Sequence, residues 1–493
     1  MQTDTLTSPD LCSALPSPYR TATSALQAKV PEILRAKGNY FHLTNGRTIF
    51  DAVGGAAVNN LGHGDERVAD AICEQIATVD YCRSTLFTSK TTCDIADFLV
   101  KTTEGAMKRA LFVSSGTEAN EAMMKLCTLY FRSIGQPQRV RFIARKNSYH
   151  GSSVSTLTLG FHMRRRELFQ GLLSLDGPNI SHVSRAHAYR DLLANESEQE
   201  YVARLAEELD NEFQRLGPDT VCAFVAEPIV GAGLGGAVAP KGYFEAMKQV
   251  CHKYGALLVM DEVMCGLGRT GTYHAWQHPD VGTAPDLQTV GKTLAGGYVP
   301  VASLLVGQTV ARAMEERREF FIHGSTYEDH PVVEAAALRV QQIVRDEGLV
   351  ENVQHQGAML REMLQQRLGS HPCVGHIRGR GLMCGVEITQ PWSKVPYSSD
   401  LRITYRICEA GMDLPKDVAE TLGFDGISMT PNQGCSDGLE GDVVVLTPAF
   451  NISTADVAAI VEALATSLEE VLGMAGEKID AELAASMPAQ ARL

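Results

Sequence analysis

Residues 257–297 read LLVMDEVMCGLGRTGTYHAWQHPDVGTAPDLQTVGKTLAGG. The apolar run Ala256 to Met260 has the length of a buried strand, and it stops at two carboxylates, Asp261 and Glu262. In open α/β sheets, the carboxyl end of a strand faces a ligand crevice. A second, less regular run, Leu287 to Val290, stops at Gly291 and Lys292, followed by Thr293, Leu294, Ala295, Gly296 and Gly297. Burying a lone lysine among small and apolar residues disfavours its charged form and lowers its pKa, as a Schiff-base lysine requires. Taken singly, these features have plainer readings: an acid pair also caps helices or decorates loops, and a lysine after glycine is also simply solvated. A nucleotide loop is excluded, because G-x-x-x-x-G-K-[ST] wants glycine at 286 and the chain has Asp286.

Working outward toward the amino end, Lys241 to Tyr254 reads as a helix, and the strand Val221 to Ala226 ends in Glu227-Pro228. A charged helix from near Gln199 to Arg215 precedes it, and a strand from Val140 to Ala144 ends near Tyr149-His150-Gly151. The strand Ala110 to Val113 leads into Ser114-Ser115-Gly116-Thr117-Glu118-Ala119-Asn120-Glu121 and the helical run MMKLCTLYF. Small and hydroxyl residues at such a turn leave backbone N–H groups unpaired at the positive end of a helix dipole, which is an anion site as well as an ordinary cap. Strands alternating with helices, each strand ending in polar residues, imply a mainly parallel sheet with ligands at its carboxyl edge. Arg164-Arg165-Arg166 reads as a solvated or intersubunit patch. Nearer the start, Asn39 to Phe50 reads as a hairpin turning at Asn45-Gly46, followed by a glycine-dense segment, 51–64, where backbone can approach backbone or ligand.

Beyond the lysine come a strand (Val301 to Val306), a helix (Gln308 to Glu319) and the segment HGSTYEDHP, residues 323–331. Helices are expected over Val332 to His355 and Gly357 to Arg367, then a glycine-broken strand region from Ile377 to Glu387 and a strand from Val443 to Phe450. A last helix opens with the capping box Ser453-x-x-Asp456 and carries Val457, Ile460, Val461, Leu464 and Leu468 at helical spacing.

With 493 residues the chain can bury a large core, divided into lobes. Its 44 basic against 58 acidic residues argue against nucleic acid or an anionic membrane as partner, and no apolar run is long enough to span a bilayer. The 12 cysteines form no C-x-x-C pair and no zinc spacing, so no metal site is expected, and they read as reduced intracellular thiols. Residues 1–18 lack the features of a secretory or transit peptide. A cytoplasmic protein is the first expectation; the terminal Ala491-Arg492-Leu493 keeps a peroxisomal address as the alternative.

Together these segments resemble the class III pyridoxal-phosphate aminotransferases, the ω-aminotransferase group of fold type I. The resemblance rests on S-G-T-E-A-N at 115–120, Y-H-G at 149–151, Glu227-Pro228, Asp261-Glu262, G-L-G-R-T-G at 266–271, Pro285-Asp286, Gly291-Lys292 and H-G-S-T at 323–326, and covers about Ala28 to Leu472. It implies that Lys292 holds pyridoxal 5'-phosphate as an internal aldimine and that Asp261 pairs with the ring nitrogen. Ser115, Gly116 and Thr117 become the phosphate cradle. Tyr149, beside His150, and Val263 flank the two ring faces. Ala56 and Ala57 border a roomy substrate pocket, with Glu227 beside it. Thr326 reaches the phosphate of the other subunit, so a homodimer with shared sites is implied.

The implied architecture has a large domain, residues 69–335, with a mainly parallel seven-stranded sheet. A smaller α+β domain comes from residues 21–68 and 336–475, with a flexible arm (1–20) and a tail (476–493) outside it. The implied activity is ping-pong transfer of an amino group from an amine, ω-amino or amino acid donor to a keto acid. Aminomutases, epimerases and dialkylglycine decarboxylases share the same core residues and stay as alternatives; a cofactor-free binding protein would lack the need for Lys292. One departure stands out: many relatives carry a carboxylate-binding arginine just before a strand like 443–450, and here no arginine lies between Asp417 and Asn451. Acceptor recognition is thus unassigned, and Glu227 is expected to attract the distal ammonium or polar group of a donor.

Overall fold

The strand Leu257–Glu262 is buried at every residue, and both carboxylates lie within it rather than after it. The computed structural model describes residues 31–173 and 179–474; the amino-terminal arm and the terminal Ala491-Arg492-Leu493 lie outside the described residues. Leu257–Glu262 is the central strand of a seven-stranded sheet in the order Met107–Val113, Ala302–Gly307, Leu287–Val290, Leu257–Glu262, Val221–Ala226, Arg141–Arg145, Ile180–Val183. Ala302–Gly307 runs antiparallel to both of its neighbours and the other pairings are parallel. The expected mainly parallel sheet is therefore present.

Val221–Ala226 is apolar throughout, as are the first four residues of Leu257–Glu262, because both sheet faces are covered there. One cluster packs Val202, Leu205, Leu209 and Phe213 of the helix Glu198–Leu216 with Met247 and Cys251 of Tyr243–Lys253 against Phe224, Leu258 and Met260. On the other face Met123, Leu126, Cys127 and Tyr130 of Gly116–Ser133 cover Ala223, Val225, Val259 and Leu304. Alternate residues of Leu257–Glu262 thus feed opposite clusters, the period-2 geometry of a strand.

Among the described residues three further sheets accompany the large one, the smallest pairing Ile229–Val230 with Ala237–Val238 and the other two four-stranded. Ile33–Lys37, Tyr40–Leu43 and Thr48–Asp51 form an antiparallel sheet, and Gly426–Ser428 adds to Thr48–Asp51 in parallel. Val374–Arg380, Met383–Ile388, Asp442–Leu446 and Thr430–Gln433 form the other, all antiparallel. Pro431 is tolerated because Thr430–Gln433 is an edge strand. The last helix, Thr454–Leu472, opens with the expected Ser453–Asp456 capping box and lies on the core built by these elements.

The helical stretch after residue 331 breaks elsewhere than expected. Pro331–Asp346 and Leu349–Leu368 are separated at Gly348, whose φ of 61° starts the second helix, while Gly357 lies inside that helix. A Cβ on Gly357 would sit 2.2 Å from the carbonyl oxygen of Gly381, so this glycine serves close packing and not a turn. Among the described residues no helix is long and apolar enough to cross a membrane.

Candidate active site

Five segments meet at one edge of the large sheet, because parallel strands deliver their carboxyl ends to the same side. Asp261 and Glu262 are register partners of Thr289 and Val290, the last residues before Gly291-Lys292, while Met260 pairs with Ala226, one residue before Glu227. Ser115 follows Met107–Val113, and Tyr149 and His150 follow Arg141–Arg145.

The acid pair of the central strand divides its labour by side-chain alternation. Asp261 is buried and accepts from His150 Nδ1 (2.8 Å), Asn120 Nδ2 (2.8 Å), the Val263 N–H (3.0 Å) and Thr289 Oγ1 (3.3 Å). Burial works against its charge, but the hydrogen bond and field of His150, with the Val263 and Asn120 donors, hold its carboxyl below the usual range. Glu262 points the other way and accepts the N–H groups of Ala275 (2.7 Å) and Trp276 (2.9 Å). Burial pushes its carboxyl up to about 8, so it is a loop anchor held near neutrality of charge.

Lys292 is half-buried and opens a short 3-10 turn, Lys292–Leu294, with φ of 46°. A left-handed backbone at a non-glycine residue costs about 1–2 kcal/mol, strain of the kind found at functional sites. Its Nζ donates to the carbonyl of Ala56 at 2.8 Å, and Ala57 beside it is also left-handed, at φ of 61°. Burial lowers the lysine to about 8, against the raising fields of Glu227 and Asp261 and with the lowering fields of Arg269 and Arg165.

Ser115 caps the helix Gly116–Ser133 by accepting the Glu118 N–H (3.2 Å), and Thr117 Oγ1 accepts from the Ser152 N–H (3.3 Å). Gly116 and Thr117 at the start of that helix are half-buried, and the first N–H groups of a helix have no partner within it. Gly116 is required there: a Cβ would come within 2.6 Å of Val263 Cγ1. Asn120, without a role in the sequence reading, lies one turn after Gly116 and so on the same helix face, where it bridges Asp261 and the His150 carbonyl (2.7 Å).

Glu227 is not left unpaired. Its carboxylate accepts the N–H groups of Tyr149 (3.1 Å) and Gly231 (3.2 Å), and burial holds it above the usual carboxylate range. It ties the Tyr149 segment to its own strand end, a use that leaves less of it for a donor ammonium.

The arginine run is also not the solvated patch its composition suggests. Arg166 is buried and donates to the carbonyls of Leu157 (3.1 Å) and Thr158 (2.9 Å), while Arg165 lies with its guanidinium carbon 4.5 Å from the centre of the Tyr149 ring. Only Arg164 is exposed. Thr326 is likewise exposed; Tyr81 Oη donates to its carbonyl at 2.9 Å, and no hydrogen bond among the described residues ties it to Lys292 of its own chain.

The donor set matches the group the sequence suggests. A buried fixed carboxylate, an amine near pKa 8, a helix start that a single Cβ would block, and a buried His150 Nε2 without a hydrogen-bond partner together suit an anionic, ring-nitrogen aldehyde cofactor. The family model for aminotransferase class-III matches residues 23–468. The chain belongs to the class III aminotransferases. This aminotransferase is 42% identical over 444 residues to an aminotransferase of Gibberella zeae, covering 90% of this chain and 84% of that protein. It is 34% identical over 362 residues to gamma aminobutyrate transaminase 2 of Solanum lycopersicum, covering 72% and 76% respectively. The omega transaminase of Pseudomonas jessenii, solved in complex with PMP, superposes with a TM-score of 0.84 at 30% identity, covering 94% of this chain and 98% of that one. The aminotransferase therefore has the fold type I architecture and is a pyridoxal-phosphate-dependent enzyme.

Proposed function

We propose that this aminotransferase runs a ping-pong transamination, moving an amino group from an amine, ω-amino or amino acid donor to a keto acid, with the cofactor held on Lys292. The observation that carries the reading is a half-buried amine with a pKa of about 8, at the same sheet edge as a buried carboxylate whose charge His150 and Asn120 stabilise. When bound, the cofactor supplies an electron sink for the charge left at the substrate carbon.

Asp261, held anionic, is the group to keep a proton on the ring nitrogen. A useful fraction of Lys292 Nζ is neutral near pH 7–8, so it can act as nucleophile and, once released, take a proton from the substrate carbon and return it. The first-turn N–H groups at Ser115, Gly116 and Thr117 would bind phosphate. Val263 and Tyr149 would flank the ring and exclude water, with Glu227 setting the position of Tyr149 through its backbone. His150 acts through Asp261, as a positioning residue. Ala56 is exposed beside the lysine while Ala57 is buried, so Ala56 is the one to border an extended donor, and the tomato relative's name supports an ω-amino acid among the candidates.

The active unit in this proposal is a homodimer in which the partner subunit's Thr326 reaches the phosphate. Support comes from large apolar side chains exposed on and near the same segment: Phe320 at 85%, Ile322 at 94%, Leu86 at 69% and Phe87 at 66%. Groups of this kind mark contact surfaces. Borohydride reduction of the holoenzyme followed by peptide mapping tests the central assignment. The cofactor should be fixed to Lys292, and a label on any other amine refutes it.

A further inference from the structure

We propose that His63 and Asp51 are positioning residues for Lys292: they fix the carbonyl of Ala56 as the seat of the lysine amine once a donor has displaced it. The inference rests on the transamination reading above. A released lysine is a long, rotatable side chain, and proton transfer needs its nitrogen held beside the substrate carbon. A neutral amine that donates one N–H to a fixed carbonyl keeps its lone pair free for that proton. Lys292 Nζ makes such a bond to Ala56 at 2.8 Å.

The segment that carries Ala56 has a backbone that needs outside support. Gly54, Gly55 and Ala57 are all left-handed, with φ of 57°, 68° and 61°, and Gly55 and Ala56 are exposed. Such a run persists where its surroundings over-determine it. Asp51 grips the start: its Oδ1 accepts the N–H groups of Val53 (3.3 Å) and Gly54 (3.0 Å), and its Oδ2 accepts from His63 Nε2 (3.0 Å). At the far end Asn59 Nδ2 donates to His63 Nδ1 at 3.1 Å. An amide nitrogen only donates, so the ring proton lies on Nε2 and is given to Asp51. His63 therefore ties the two ends of the 53–58 loop together. Its backbone is bridged to Gly38 in both directions, and its ring centre lies 4.5 Å from that of Phe41, so the clamp is anchored in the neighbouring sheet.

Three further contacts aim the closed loop at the lysine. Thr447 Oγ1 donates to the Val53 carbonyl (2.8 Å), and Arg269 donates to the Asn59 carbonyl (3.0 Å). Asn60 Nδ2 donates to the carbonyl of Thr293, the residue after Lys292, at 2.9 Å. The loop is thus fastened to the lysine's own turn as well as to its amine, and His63 acts on the lysine through it.

The test is the donor half-reaction of the holoenzyme, followed by stopped-flow absorbance of the cofactor, with hydrogen or deuterium at the reacting carbon of the donor. The probe is the fastest of 1-phenylethylamine, 4-aminobutanoate and alanine. His63→Phe keeps a ring against Phe41 without the N–H, and should lower the limiting rate about tenfold while the apparent Kd of the donor stays within about twofold. Its deuterium isotope effect should be at least as large as that of wild type, because proton transfer is the step that suffers. His63→Gln, which returns an N–H to Asp51, should recover most of the rate. Thr447→Val frees Val53 with His63 intact and should lower the limiting rate in the same way, which keeps the test open should His63→Phe not fold. In the apoenzyme, amide exchange across residues 53–60, read by mass spectrometry, should quicken in His63→Phe and return toward wild type in His63→Gln. A loss carried by Kd alone, an isotope effect that shrinks, or a loop that exchanges at the wild-type rate overturns the assignment and leaves transamination standing. Wild-type enzyme whose cofactor none of the three donors converts overturns both readings.

Discussion

His150 Nδ1 lies 2.8 Å from Asp261 Oδ2, and since a carboxylate only accepts, the shared proton sits on the histidine. Replacing His150 by Ala removes the strongest influence that lowers the Asp261 pKa. Asp261 has a folded-state pKa below its unfolded value, so its favourable charge is present above about pH 4 and is lost as pH falls through the folded value. His150→Ala should therefore weaken cofactor binding about tenfold at neutral pH and move the acid limit of binding upward. Equilibrium dialysis of pyridoxal phosphate across pH 4–8 checks this.

Lys292, with a pKa near 8, governs the opposite limb. Its charged form dominates below that pH and cannot attack an aldehyde. The rate of cofactor uptake by the apoenzyme should rise with pH through about 8 and level off above it, followed by stopped-flow absorbance. Lys292→Ala should lower kcat by a factor on the order of 10³, with the fold intact by circular dichroism.

Gly116 and Val263 form a coupled pair, since a Cβ at 116 would meet Val263 Cγ1 at 2.6 Å. Gly116→Ala should destabilise the protein by about 1–3 kcal/mol and impair cofactor binding. The double variant with Val263→Ala should recover part of the stability. A urea-denaturation double-mutant cycle measures the coupling, and additive effects would contradict the contact.

Gly357 is the sterner glycine of the long helix Leu349–Leu368. A methyl group there meets the Gly381 backbone at 2.2 Å, and backbone yields less than a side-chain tip. Gly357→Ala should cost about 3 kcal/mol, more than the roughly 1–2 kcal/mol expected for the left-handed Gly348→Ala. Chemical-denaturation midpoints of the two variants give the order.

Phe320 and Ile322 test the assembly. If the partner subunit's Thr326 completes each site, Phe320→Asp with Ile322→Asp should shift the protein from dimer toward monomer by light scattering and lower cofactor affinity. A variant that stays dimeric with unchanged affinity places the contact elsewhere.

What the sequence determined by itself follows from local order. Apolar runs that stop at polar residues, Val221–Ala226 and the first four residues of Leu257–Glu262, announce parallel strands, because strands covered on both faces can be apolar on both. The cap at Ser115 and the box at Ser453 are short-range hydrogen bonds, legible from residue type and spacing. Tertiary structure decided everything that depends on contact between distant segments. The edge strands Gly426–Ser428 and Thr430–Gln433 carry little apolar pattern of their own and exist because Thr48–Asp51 and Asp442–Leu446 offer them partners. Gly357 looks like a helix breaker until Gly381, 24 residues away in sequence, is seen against it. Three adjacent arginines look alike in the sequence; a single turn sends Arg164 to solvent, Arg166 into buried carbonyls and Arg165 onto the Tyr149 ring. Periodicity can say which residues share a face, but packing alone selects what that face meets.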